Sequence, residues 1–177
     1  MEDRARVVIV GAGIVGCSAA EHLTKLGWRD VVVLDQGPLF EAGGSTSHAP
    51  GLVFQTNPSK TMTNLASHGV KRYSELELDG KPCFYQVGGL EVAATTKRWK
   101  DLKRKHGIAT SWGVESELLS PEECVEKSPL VDPEKIRGGF YVPSDGIAKA
   151  VRISEAMARE AQARGAKFYG ETEVTGI

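Results

Sequence analysis

Val7-Val8-Ile9-Val10 runs directly into Gly11-Ala12-Gly13-Ile14-Val15-Gly16, and that junction leaves few folds open. A short β-branched run predicts a strand buried on both faces, as in a parallel sheet. Val15, Ala19, Leu23 and Leu26 then recur at helical spacing, and Gly27 supplies a stop. Val31-Val32-Val33-Leu34 reads as a second buried strand ending at Asp35. Together these predict a βαβ unit whose turn follows the G-x-G-x-x-G pattern. Gly11 permits the tight turn. Gly13 lets the backbone approach a pyrophosphate, and Gly16 lets the helix pack closely on the strand. The amides of Ile14 and Val15 would face the phosphates, whose charge the helix dipole favours. Asp35 lies 22 residues beyond Gly13 (35 − 13), where a carboxylate can accept from ribose hydroxyls and would repel a 2′-phosphate. Gln36 beside it can add a contact.

Between two such strands, with the acid at the right distance, the pattern is a strong sign of a dinucleotide and leaves little room for a Gly-rich turn without a ligand, but it does not separate FAD from NAD. The segment beyond Asp35 is more selective. A doubly wound NAD domain should return to a helix and a third strand within a short distance. Instead, residues 36–59 are rich in Gly, Pro, Ser and Thr and show no period. Loops longer than about 15 residues in compact domains are usually functional or disordered. Leu52-Val53-Phe54 argues against disorder. Within this segment Gly43-Gly44-Ser45-Thr46-Ser47-His48-Ala49-Pro50-Gly51 gathers hydroxyls, an imidazole and hinge residues, with neither helical nor strand period. On its residues alone, His48 reads as an ordinary hydrogen-bonded imidazole.

Further on, Ser59 is a candidate cap for a helix with an apolar face at Met62, Leu65, Ala66, Val70 and Tyr73, running on to Leu76. Residues 83–87 and 90–94 read as strands, with Gly88-Gly89 as a hairpin or bulge between them. No helix joins them, so they belong to an antiparallel sheet outside the nucleotide-binding layer. Residues 95–106 read as a helix with Trp99, Leu102 and His106 inward. A short strand is expected within 114–119. Ser120-Pro121-Glu122-Glu123 starts a helix with a capping Ser and Pro at its first position. A strand over 136–142, a turn at Pro143-Ser144-Asp145-Gly146, a helix from Ile147 to Gly165 and strands at 167–169 and 173–177 complete the pattern. The chain stops inside a strand-rich stretch, so the expected class is α/β: a Rossmann-like βαβ unit with part of an antiparallel substrate-domain sheet, truncated at the C-terminus. The expected division is 1–58 with about 144–177 for the dinucleotide and about 59–143 for the substrate or cap part.

Composition excludes several classes. A net charge of −1 favours neither nucleic acid nor an anionic membrane. The basic cluster Lys97, Arg98, Lys100, Lys103, Arg104 and Lys105 lacks the interleaved aromatics that stack bases, and reads as a solvated helix face. No apolar run reaches the length of a membrane span. Cys17, Cys83 and Cys124 are odd in number and widely spaced, which fits a reducing compartment. The four histidines show no metal-ligand spacing. The charged N-terminus points to the cytoplasm. Cys17 and Cys83 are expected in the core, and an Asp-Gly turn is enough to explain Asp145.

The whole chain resembles the FAD-dependent amine oxidoreductases of the D-amino-acid-oxidase type, and within them the dimethylglycine- and sarcosine-oxidising enzymes, most closely the bacterial dimethylglycine oxidases. The resemblance rests on Gly11 to Gly16, Val33 to Pro38, Gly43 to Gly51, Gly88 to Val92, Gly138 to Gly146 and Val174 to Ile177. It implies FAD attached through its 8α carbon to His48. Ser45, Thr46 and Ser47 would lie on the pyrophosphate and ribityl side, Leu52 by the ring, and the Val174 backbone at the adenine. The implied reaction is hydride transfer from an N-methyl group of a small N-methyl amino acid to the flavin, giving an iminium and a one-carbon unit. The electron acceptor would be oxygen or an electron-transfer flavoprotein, with no catalytic residue before 177. Tetrahydrofolate would enter only through a C-terminal region absent here. Many relatives carry Asp-Pro where Ala148-Lys149-Ala150 stands, so no catalytic role is carried to that segment. A non-catalytic flavin-fold regulatory protein and an NAD-dependent dehydrogenase are the other readings.

Overall fold

The computed structural model describes residues 4–41 and 43–176. In chain order the elements are β1 (Val7–Val10), α1 (Ile14–Lys25), β2 (Val31–Leu34), α2 (Ser45–His48), β3 (Leu52–Val53), α3 (Lys60–Ser74), β4 (Glu77–Leu78), β5 (Lys81–Pro82), β6 (Phe84–Tyr85), β7 (Gly89–Val92), α4 (Thr96–Ser111), β8 (Glu117–Leu119), α5 (Pro121–Lys127), β9 (Gly139–Val142), β10 (Gly146–Ala148), α6 (Ala150–Ala163) and β11 (Lys167–Tyr169). The chain divides into two compact units. One comprises Met1–Gly51, Glu75–Phe84 and Ala148–Ile177, and the other Leu52–Ser74 and Tyr85–Ile147.

The first unit holds a parallel sheet of order β1-β2-β11, with Val7 opposite Val31 and Phe168 opposite Val33. Helices α1 and α6 pack on each other. Both helices bury small side chains: Cys17 and Ala20 on α1, Ala158 and Ala161 on α6, all fully buried. The expected stripe on α1 is shifted. Val15 is 80% exposed and Leu26 77%, while Gly16, Cys17, Ala20, Glu21 and Thr24 face inward. Close packing against another helix favours small residues over the larger apolar ones that periodicity picks out. Glu21 is buried with them, 2.8 Å from His22 Nδ1 and 3.6 Å from Arg164. Strand β1 also departs from expectation, since Val8 and Val10 are more than half exposed. Lys167–Tyr169 is a strand as expected. Residues 173–176 form none, and Ile177 lies outside the described residues.

The second unit is built on an antiparallel sheet of order β7-β9-β8, in which Leu90 faces Tyr141 and Leu118 faces Phe140. Helix α4 covers it: Leu102, Ala109, Phe140, Val142, Ala93 and Val114 form one buried cluster with Trp99 against it. Residues 84–85 and 89–92 are separate strands rather than a hairpin, because β7 pairs with β9. Gly88, at φ +81°, has room for no side chain: a Cβ would fall 2.2 Å from the Tyr141 hydroxyl. On α3 the inward positions are Thr63, Val70 and Arg72, while Met62 and Leu65 are more than half exposed. Ile147 lies in β10, where it faces Leu52, and the following helix starts only at Ala150.

Candidate functional site

The Gly-rich turn is shaped by contacts that a side chain would forbid. Gly11 sits at φ +100°, a conformation open to glycine. A Cβ on Gly16 would stand 1.9 Å from the Gly11 carbonyl oxygen, so α1 can lie this close to the end of β1 only with glycine there. Gly13 gives α1 no side-chain cap of its own, the first turn has no acid, and Ile14 N is taken by Thr46 Oγ1. The amides that follow Ile14 therefore offer an anion site of the kind that phosphates occupy.

Asp35 closes the other side. Its Oδ2 accepts from Ala12 N at 2.6 Å and its Oδ1 from Gly37 N at 3.0 Å. Each carboxylate oxygen keeps lone-pair capacity, so ribose hydroxyls can still bind. Residues 169–172 wrap this corner: Asp35 N donates to Tyr169 O at 2.9 Å, Thr172 N to Asp35 O at 2.8 Å and Glu171 N to Gly37 O at 2.9 Å. Sequence reasoning missed these partners. Their only signal is the parallel register of β11 on β2, carried past the strand ends. Cys17 supports the turn from below, its thiol donating to Ala12 O at 3.1 Å. Burial, helped by the charge of Asp35, pushes that thiol up to about 12, which makes it a structural group.

Segment 43–51 contains a helical turn, α2, contrary to the expectation of no regular structure. Four residues are too few to show a period. Thr46 Oγ1 accepts from Ile14 N at 3.0 Å, and it sits 3.0 Å from the place a Cβ on Gly13 would take. Ser47 is turned into its own loop: its hydroxyl donates to Gly44 O at 2.8 Å and accepts from Gly43 N at 3.0 Å. His48 is exposed, with Nδ1 2.9 Å from Gly44 O. A carbonyl only accepts, so Nδ1 carries the proton in this contact and Nε2 keeps its lone pair.

Of the residues singled out in the sequence, Gly11, Gly13, Ile14, Val15, Gly16, Asp35, Gln36, Ser45, Thr46, Ser47, His48 and Val174 all lie in the first unit. Gln36 and Ser45 are exposed, and Val174 is half-buried in the run after β11. Leu52 belongs to the second unit, in β3, with its side chain 58% exposed.

The second unit has a buried polar centre that the sequence did not signal. Asp145 is 2% exposed, and its Oδ1 accepts from Gln55 N and Gln55 Nε2, both at 3.0 Å. Burial raises its pKa, while the two bonds from Gln55 pull the other way. A cavity of about 460 Å³ also lies in this unit, lined in part by Thr56, Arg98, Arg104, Lys105 and Trp112. Its cations are already matched. Arg98 and Lys105 both reach Glu91, and Arg104 is 3.6 Å from Asp101. Among the described residues no group of acids, histidines and cysteines could hold a metal ion, and no helix is long and apolar enough to cross a membrane.

A parallel βαβ unit, a glycine turn under a helix N-terminus and an acid at the second strand's tip define a dinucleotide-binding α/β protein. Residues 6–177 match the family model described as FAD dependent oxidoreductase, and the chain belongs to that family. It is 36% identical over 180 residues to human mitochondrial sarcosine dehydrogenase, covering 100% of this chain and 19% of the relative. It is 34% identical over 176 residues to the mitochondrial pyruvate dehydrogenase phosphatase regulatory subunit of Mus musculus, covering 98% and 20%. The crystal structure of L-proline dehydrogenase from P. horikoshii superimposes with a TM-score of 0.88 at 30% identity, over 99% of this chain and 46% of that one. The chain thus spans about a fifth of the length of each of these two curated relatives. The family's FAD dependence sets aside the NAD-dependent reading. The residues present fit that cofactor: the glycines clear the turn, the α1 amides can take phosphate, and Asp35 can take ribose.

Proposed function

We propose that this chain carries the FAD-attachment part of an enzyme that oxidises an N-methyl amino acid of the dimethylglycine or sarcosine type. The observation that carries the reading is the pairing in α2 of Thr46 at the glycine turn with an exposed His48 whose Nδ1 lies 2.9 Å from Gly44 O. When bound, the flavin supplies the two-electron acceptor for the amine, leaving an iminium that yields a one-carbon unit. The chain's own groups bind and orient. The α1 amides and Thr46 hold phosphate, Asp35 accepts from ribose, and Gly44 O fixes the His48 tautomer. His48 would hold the flavin through its 8α carbon, and oxygen or an electron-transfer flavoprotein is the candidate electron acceptor.

The test is to denature the full-length protein in acid and follow its yellow colour. Colour is expected to stay with the polypeptide and to be lost in His48→Ala. Colour that leaves wild-type protein on denaturation overturns the attachment. The likeness to a phosphatase regulatory subunit favours a second reading, a flavin fold without catalysis. Anaerobic addition of sarcosine or dimethylglycine separates the two: bleaching of the flavin supports the oxidoreductase, and an unchanged spectrum supports the regulatory protein.

A further inference from the structure

We infer that Thr46 is a positioning residue that makes attachment at His48 depend on occupation of the phosphate site at the start of α1. This rests on FAD being attached at His48. Among the described residues, the bond from Ile14 N to Thr46 Oγ1 is the one hydrogen bond that joins α2 to another element. The rest of the turn is bonded to itself: Ser47 N and His48 Nδ1 reach Gly44 O, and Ala49 N reaches Thr46 O. The turn is thus bonded within itself and hydrogen-bonded to α1 through a single hydroxyl, while it also packs against α6.

That hydroxyl is placed for a second partner. It has one proton and two lone pairs. One lone pair is on Ile14 N, and among the described residues the O–H donates to no protein acceptor. Thr46 can stand there because Gly13 has no Cβ; one would lie 3.0 Å from Oγ1. A phosphate oxygen bound at the α1 amides that follow Ile14 would meet the Thr46 O–H as well. Charge-assisted bonds to one anion from both α1 and α2 are stronger than the neutral bond alone. They hold His48, two residues further along the same turn, in one orientation. Bond formation at Nε2 needs close approach and alignment, so a turn left loose loses rate rather than affinity.

The experiment uses full-length protein produced without flavin. Fluorescence titration reads non-covalent FAD binding, and in-gel fluorescence after acid denaturation reads attachment over time. At saturating FAD, Thr46→Val is expected to slow attachment by about tenfold or more, while Thr46→Ser, which keeps the hydroxyl, stays near wild type. Attachment by Thr46→Val at the wild-type rate overturns the inference. Should Thr46→Val fail to fold, wild-type protein supplies the test with riboflavin, which has no phosphate. ADP, filling the phosphate site separately, is expected to raise riboflavin attachment by about fivefold or more. Labelling that ADP leaves unchanged overturns the inference. Failure of the underlying reading looks different, because wild-type protein then keeps no colour at all.

Discussion

A carboxylate such as Asp145, buried and bonded through one oxygen to Gln55, gives the second unit a titratable centre. Its folded-state pKa is raised, with burial as the largest cause. A raised carboxylate stabilises the fold fully below the unfolded value, about 3.9, and loses that contribution as pH rises through the folded value. Asp145→Asn keeps an oxygen for the two Gln55 donors and removes the titration. Wild type is therefore expected to lose stability relative to Asp145→Asn as pH rises from about 4 towards 7, read by urea unfolding of both proteins. A stability difference constant across that window counts against the account. The sequence showed the Pro-Ser-Asp-Gly turn correctly but not this role. The partner of Asp145 lies 90 positions away, and no local pattern links a Gln after a strand to an Asp before one. His48 and Thr46 are the contrary case: the resemblance carried by Gly43 to Gly51 singled them out, whereas on its residues alone His48 read as an ordinary imidazole.

Elements with strong local chemistry were legible. Helix α5 begins where Ser120, Pro121 and Glu123 place it, with Ser120 Oγ accepting from Glu123 N at 3.2 Å and the Glu123 carboxylate accepting from Ser120 N at 2.7 Å. Ser120→Ala is expected to cost about 1 kcal/mol of stability, measured by denaturant unfolding. A loss near zero would mean that tertiary contacts alone fix the helix start. Helix α4 also follows its period, with Leu102 fully buried. Some of the shortest elements were not legible: α2 and β3 are shorter than either period needs for detection, whereas β6 falls within the strand expected at 83–87. Which face of a helix turns inward was legible only in part. Periodicity marks apolar residues, whereas α1 buries its small ones because another helix lies against it, and α3 buries Thr63, which bonds Asn57 N at 3.2 Å.

At the scale of the whole chain, the first unit is assembled from three separated stretches. Parallel pairing of β11 with β2 requires a crossover, and α6 provides it while covering the small residues of α1. Residues 148–176 thus belong to that unit, α6 and β11 included, although they come last in sequence. Ile153 and Met157 of α6 are each 1% exposed. Burying two such side chains is worth about 1.5–3 kcal/mol apiece, against a total stability of about 5–15 kcal/mol for a domain. Ending the chain at Ile147 removes both, strips β2 of a partner strand and bares Cys17, Ala20 and Val33, each fully buried. Loss of the cooperative thermal transition of the first unit and of ADP binding is therefore expected, read by circular dichroism and calorimetry beside the 177-residue chain. An unchanged Tm with ADP still bound would mean that the glycine turn, Asp35 and α2 hold their arrangement without α6 and β11. The bonds from Thr172 N to Asp35 O and from Asp35 N to Tyr169 O argue that they do not.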